Sequence, residues 1–271
     1  MKKTILVTGA DGQLGQCMRN IHTDYPGYRF LFMTSEVLDI TNSEILFRIF
    51  EKKQPDYCFN FAAYTNVEQA ENEQEKAFRV NAEGVACLAE VCKKYNVILF
   101  HISTDYVFDG LKTTPYTPED EPNPLNVYGR SKLEGERRIQ QICEKYFIIR
   151  TSWLYSEFGK NFYKTIRERV EKGETLQVTD RETGCPTNAN DLAVFLMNMV
   201  SSNFKKYGIY HFCGEKAMTW YEFALLIVKK SDKQIPGKVV KTKNYHTFAA
   251  RPVYSVLQPS HIAFEDEKPA T

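Results

Sequence analysis

Unbroken apolar runs alternating with helical patterns across the first half of the chain set the strongest limit on its fold. The runs cover residues 4–8, 28–33, 57–61, 97–103 and 146–151. Most are apolar at consecutive positions, as in strands buried on both faces. Between them lie segments whose apolar residues recur three and four apart. Residues 13–21 form one. Asn42 is placed to cap a second, which runs to about residue 53, buries Ile45, Leu46, Ile49 and Phe50, and is stopped by Pro55. A third spans 72–94 with Ala77, Val80, Val85 and Leu88 inward, and a fourth runs over 128–143. This alternation predicts an α/β fold, a doubly wound parallel sheet with helices on both faces and right-handed crossovers.

Beyond Ser152 the pattern loosens. Helical stretches are expected at 161–172, 191–200 and 220–230, and short strands at 175–178 and 209–212. The expected organisation is therefore a dinucleotide-binding core over 1–151. A smaller C-terminal lobe over 152–271 supplies mainly substrate contacts, with some segments returning to the core.

The charge balance gives no general attraction to nucleic acid or to an anionic membrane, with 35 basic residues against 34 acidic ones. No stretch approaches the roughly 20 apolar residues that span a bilayer. The apolar run Ile5-Leu6-Val7 after Lys2-Lys3 is too short for a signal peptide and reads as the first strand. Seven cysteines, with no Cys-x-x-Cys, are expected to be reduced thiols in a cytoplasmic protein.

Two motifs carry chemistry. Gly9, Gly12 and Gly15 follow the first strand and open the first helix. The first two glycines let the backbone turn and approach a pyrophosphate, the third allows close helix–strand packing, and the helix N-terminus adds amide donors. The second strand ends Phe32-Met33-Thr34-Ser35, with no acid before Glu36 to bind a ribose 2′-hydroxyl. Thr34 and Ser35 can donate to a 2′-phosphate, so NADPH is favoured over NADH. The second motif is Tyr128 and Lys132, one helical turn apart and so on one face. A fixed cation beside a phenol is expected to pull its pKa from about 10 towards neutrality, tuning it for proton transfer to a substrate oxygen. Upstream, the fourth strand ends His101-Ile102-Ser103-Thr104-Asp105. A hydroxyl there, Thr104 or alternatively Ser103, points into the crevice where such sheets bind ligands. His101 lies within an apolar run and reads as a packed core residue. Asn81, a mediocre helix former in mid-helix, either bonds the sheet near this site or serves structure alone. The remaining histidines show no metal-ligand spacing.

Together these residues resemble the extended short-chain dehydrogenase/reductase family. The strings Ser103-Thr104-Asp105-Tyr106-Val107-Phe108-Asp109-Gly110, Tyr128-Gly129-Arg130-Ser131-Lys132, Arg150-Thr151-Ser152-Trp153, Gly184-Cys185-Pro186-Thr187 and Arg251-Pro252-Val253-Tyr254 carry the resemblance over nearly the whole chain. It implies a Rossmann-type fold and, among its nucleotide-sugar members, NADPH-dependent reduction of the 4-keto group of dTDP-4-dehydro-L-rhamnose to dTDP-L-rhamnose. It further implies Thr104, Tyr128 and Lys132 as the catalytic triad, and Asp105, Trp153 and Arg251, with Thr104, as contacts to the dTDP-sugar. The cofactor would be lined by Gly9, Asp11, Gly12, Gln13, Leu14, Asp39, Ile40, Ala62, Ala63 and Tyr64, with Tyr128 and Lys132. Some members hold magnesium between subunits with acidic residues. Here Gln16 and Asn190-Asp191 offer one carboxylate, so no metal is expected and a homodimer stays open. Asp180-Arg181-Glu182-Thr183 is one residue longer than the family's usual loop, which bears on substrate fit. The same resemblance admits alternatives: another nucleotide-sugar reductase or an epimerase, or a regulatory subunit like the β subunit of methionine adenosyltransferase. A 4,6-dehydratase is disfavoured, because Tyr106 stands where those enzymes carry a glutamate.

Overall fold

The computed structural model describes residues 2–230, 236–243, 245–262 and 264. Its first half alternates as the apolar runs require: β1 (Lys3–Thr8), α1 (Gln13–Ile21), β2 (Tyr28–Phe32), α2 (Ser43–Lys53), β3 (Tyr57–Asn60), α3 (Val67–Ala70), α4 (Gln74–Phe78), α5 (Gly84–Lys94), β4 (Ile98–Thr104), α6 (Val127–Ile142) and β5 (Tyr146–Thr151). The second half adds β6 (Leu154–Tyr155), α7 (Phe162–Glu171), β7 (Thr175–Thr179), β8 (Thr183–Gly184), β9 (Thr187–Asn188), α8 (Ala189–Ser201), β10 (Gly208–His211), β11 (Met218–Thr219), α9 (Trp220–Lys229) and β12 (Lys238–Thr242).

The central sheet runs β10-β5-β4-β3-β1-β2, every pair parallel. Its order reverses between β1 and β3, the switch point at which such sheets open a ligand crevice beyond their carboxyl ends. Alternate strand residues feed two apolar layers. Ile5, Val7, Phe59, Phe100, Phe147 and Ile149 pack with α1 and α8 on one face. Leu6, Cys58, Leu99 and Ile148 pack with α2, α5 and Ile139 of α6 on the other. Asn42 caps α2 by accepting from the Ile45 amide, and the helix closes on a left-handed Gln54 just before Pro55. All seven cysteines are free thiols.

The segments of the C-terminal half that return to the core are the strand at 209–212 and the helix at 191–200. In the structure β10 completes the edge of the main sheet against β5, and α8 packs on α1 beneath it. The lobe proper is α7 and α9 packed on the parallel pair β7–β12 through Ile166, Val170, Leu176, Val178, Phe223 and Ile227. One expectation needs correction, the single helix over 72–94. It is α4, then one π-helical turn over Arg79–Glu83, then α5. The extra residue in that turn brings Asn81 against the site, because a π-bulge re-aims the side chains around it.

Gly135 of α6 passes over this turn so closely that a Cβ there would lie 2.1 Å from the Asn81 carbonyl oxygen. Gly135→Ala should therefore force the two helices apart and destabilise the fold by about 1–3 kcal/mol. A lowered denaturation midpoint at unchanged slope would be the reading; an unchanged midpoint would mean that the helix contact yields freely.

Candidate active site

A cavity of about 580 Å³ opens beyond the carboxyl ends of β1, β3 and β4. Its floor is the glycine turn. Gly9 has φ +61°, and a Cβ on it would meet the Ala62 amide nitrogen at 2.6 Å, so only glycine fits. Gly12 is the N-cap of α1 and no side chain caps that helix, leaving its first-turn amides to face the cavity. A pyrophosphate needs this combination of a close backbone and uncapped helix start, so the residues present fit a dinucleotide.

The chemistry sits on the opposite wall. Thr104 ends β4, while Tyr128 and Lys132 lie on the first turns of α6, which Asn126 caps by accepting from the Gly129 amide. Thr104, Asp105, Tyr128 and Lys132 all line the cavity. Lys132 is buried, and its ammonium donates to the Ile102 carbonyl at 2.7 Å. Burial pulls its pKa down to about 8, partly offset by Glu136. Glu136 itself is held by Arg150 at 2.7 Å, a buried pair, and by Ser103. Tyr128 departs from expectation. Its pKa is not drawn towards neutrality but pushed up to about 12 by burial, with Thr104 lowering it and Asp105 raising it. The lysine's charge is engaged by β4 rather than by the phenol, so desolvation decides. A phenol in this state carries its proton at neutral pH, as a donor must.

Asp105 is buried. It takes hydrogen bonds from Ser255 at 2.6 Å and Thr104 at 3.1 Å. Burial nevertheless raises its pKa to about 7. Trp153 has φ +48°, a strained conformation for a bulky side chain. One face of its ring stacks on Trp220 at 3.5 Å and 6°. A Cβ at Gly184 would fall 2.6 Å from the same ring. One face of Trp153 is thus covered by Trp220, while the residue still lines the cavity.

The other sequence candidates divide. Asp11, Gln13, Leu14 and Ala63 line the cavity. Ala62 abuts Gly9, and Tyr64 is fixed by Asn81, whose side chain bonds the Tyr64 amide and carbonyl and also Ser131. Asp39 is exposed and caps its own turn through Thr41, while Ile40 is buried against α5. Arg251 lies outside the cavity wall and pairs with Glu68 at 2.8 Å. Gln16 donates to the Asp11 carbonyl and Asn190 to the Glu157 carboxylate. Sequence reasoning missed Trp220, Phe162 and Asn161, which close the cavity from the lobe. A signal for Trp220 existed, since the chain holds two tryptophans and this one directly follows Thr219, the N-cap of α9.

A glycine turn facing a Tyr-Lys pair at the carboxyl edge of a parallel sheet is the site of a nicotinamide-dependent oxidoreductase of the short-chain type. Comparison with known proteins narrows this. The model of the RmlD substrate binding domain matches residues 1–269, and the chain belongs to that family. It is 40% identical to the dTDP-4-dehydrorhamnose reductase of Aggregatibacter actinomycetemcomitans, covering 95% of this chain and 91% of that protein. It is 37% identical to the spore coat polysaccharide biosynthesis protein SpsK of Bacillus subtilis, over 97% and 90%. A crystal structure of dTDP-4-dehydrorhamnose reductase from Bacillus anthracis in complex with NADP superposes with a TM-score of 0.91 at 35% identity, covering 96% of this chain and 92% of that one.

The Asp105 carboxyl makes a test with a defined sign. An aspartate ordinarily titrates near 3.8 and this one near 7. Between those values the unfolded chain has lost the proton and the folded protein keeps it. Wild-type stability should therefore carry a component that is full below about pH 4 and is lost as pH rises through about 7. Asp105→Asn lacks that proton. Its stability relative to wild type should rise across this window in denaturant titrations, and a difference independent of pH would mean that Asp105 is ionised in the fold throughout.

Proposed function

We propose that the chain catalyses NADPH-dependent reduction of the 4-keto group of dTDP-4-dehydro-L-rhamnose, giving dTDP-L-rhamnose. The observation that carries this is the convergence of Thr104, Tyr128 and Lys132 on one cavity with the glycine turn. The identity to reductases of that name and the NADP complex of the B. anthracis relative support the substrate and the choice of NADPH.

When bound, NADPH supplies the hydride for the carbonyl carbon. The chain's own residues manage the oxygen. Thr104 donates a hydrogen bond to it, and Tyr128 passes its phenolic proton as the oxygen gains charge. Lys132 steadies the phenolate left behind and holds the nicotinamide ribose. Gly9, Asp11, Gly12, Gln13, Leu14 and Ala63 line the cofactor path. Asp105, protonated or not near neutral pH, can donate to or accept from a sugar hydroxyl. Trp153, which lines the cavity, would border the deoxysugar. Arg251 gives one guanidinium nitrogen to Glu68, which also takes the Phe248 and Ala249 amides and so holds the 248–251 segment, and its remaining donors are the ones to meet a diphosphate.

Stoichiometric oxidation of NADPH with appearance of dTDP-L-rhamnose, the keto-sugar being generated in situ, tests the reaction; no oxidation of bound NADPH would overturn it. Tyr128→Phe should lower kcat by about 100-fold to 10,000-fold and leave the NADPH dissociation constant near wild type. Near-normal turnover in that variant would remove Tyr128 as the proton donor.

A further inference from the structure

A line of buried polar side chains crosses the sheet from the glycine turn to Lys132. Thr8 stands opposite Asn60 in the β1–β3 register, and Asn60 opposite His101 in the β3–β4 register. Thr8 Oγ1 lies 2.7 Å from Asn60 Oδ1, Asn60 Nδ2 lies 2.9 Å from His101 Nδ1, and His101 Nε2 lies 3.3 Å from Lys132 Nζ. All four residues are at most 2% exposed. The near end is tied to the dinucleotide loop, because the Ala62 amide donates to Thr8 Oγ1 and Gly9 follows in sequence. Such groups are costly to bury unless each donor meets an acceptor, so the line has to be satisfied as a whole.

It can be satisfied in two directions. With Lys132 as the ammonium, Nζ donates to a bare Nε2, His101 carries its proton on Nδ1 and donates to the Asn60 carbonyl, and the Asn60 amide donates to Thr8. With Lys132 as the neutral amine, Thr8 donates to the Asn60 carbonyl, the amide donates to Nδ1, and Nε2–H donates to Nζ. Lys132 keeps its bond to Ile102 either way. One proton leaves Lys132 between the two states. The ring proton changes nitrogen and the Asn60 amide turns over, while His101 is neutral in both.

We propose that His101, held by Asn60 and Thr8, is a positioning residue whose tautomer is locked to the charge state of Lys132, tying that charge to the glycine turn. The groups facing Lys132 are His101 and the Ile102 carbonyl from β4, and Tyr128 and Glu136 from its own helix, Glu136 being paired with Arg150 of β5. Burial and the neighbouring lysine hold His101 well below the ordinary histidine range, consistent with a ring that is never an imidazolium here.

The kinetic part of the test rests on the reductase reading, whereas the spectroscopic part needs neither cofactor nor turnover. Protein labelled with ¹⁵N-histidine gives two-bond ¹H–¹⁵N spectra that separate the two tautomers from the imidazolium, and His101→Gln identifies the His101 signals. His101 should stay neutral from about pH 6 to about 9.5 and pass from the Nδ1–H to the Nε2–H form as Lys132 loses its proton. Lys132→Met should abolish the crossover. An imidazolium in this range, a single tautomer throughout, or a crossover that survives in Lys132→Met would overturn the proposal. In turnover, His101→Leu removes a charge-assisted bond that favours the cation, so the basic limb of the kcat profile should move down by about one pH unit. His101→Gln, whose amide stands in for Nε2, should restore the limb towards wild type; wild-type profiles in both variants would also overturn it.

Discussion

An ammonium held out of water at the carboxyl edge of a parallel sheet is the condition to which the surrounding structure answers. An ion of this size is expensive to bury, and the expense is offset only if every neighbouring group is oriented for it. Lys132 finds the Ile102 carbonyl, His101 and, one turn away, Glu136. Glu136 needs Arg150, and Arg150 lies over the Phe108 ring with its forked guanidinium on the carboxylate. The packing of α6 on β4 and β5 is therefore a matter of charge placement as much as of apolar area. Burial keeps the neighbouring Tyr128 in its protonated form.

The two parts of the chain meet through side chains of the glycine turn itself. Gln13 donates to the Leu154 carbonyl and accepts from Asn161, which also caps α7. A residue that follows the phosphate-facing turn thus anchors the first helix of the lobe. Gly184 and Trp220 bring the lobe's second contact to Trp153. The cavity is walled by residues from both halves, and neither half closes it alone.

The central sheet was legible because β1, β3, β4 and β5 are buried on both faces, and consecutive apolar residues of that kind admit few other arrangements. β10 was legible as a short strand, but its place at the edge of the main sheet was not. Gly208–His211 contains tyrosine and histidine, lies at an edge, and follows several short elements that interrupt the alternation. The π turn escaped notice for a related reason: one inserted residue barely disturbs apolar spacing. At the site, Tyr128, Lys132 and Thr104 were readable from spacing and chain position. The pKa of Tyr128 was not, since it depends on which acceptor the lysine reaches first. His101 was read as a core residue from its apolar neighbours. It is fully buried, yet both ring nitrogens are engaged, which an apolar context in sequence does not reveal.

The stacked pair Trp153–Trp220 has an optical consequence. These are the two tryptophans of the chain, and both border the cavity. Indole emission from this protein therefore originates at the cavity wall, with no distant chromophore of that type to dilute it. Two parallel rings 3.5 Å apart also couple their transitions. A molecule lodged against Trp153 or Trp220 changes the quenching of the pair and the separation on which that coupling depends. The unlabelled protein thus carries its own gauge of what enters the crevice.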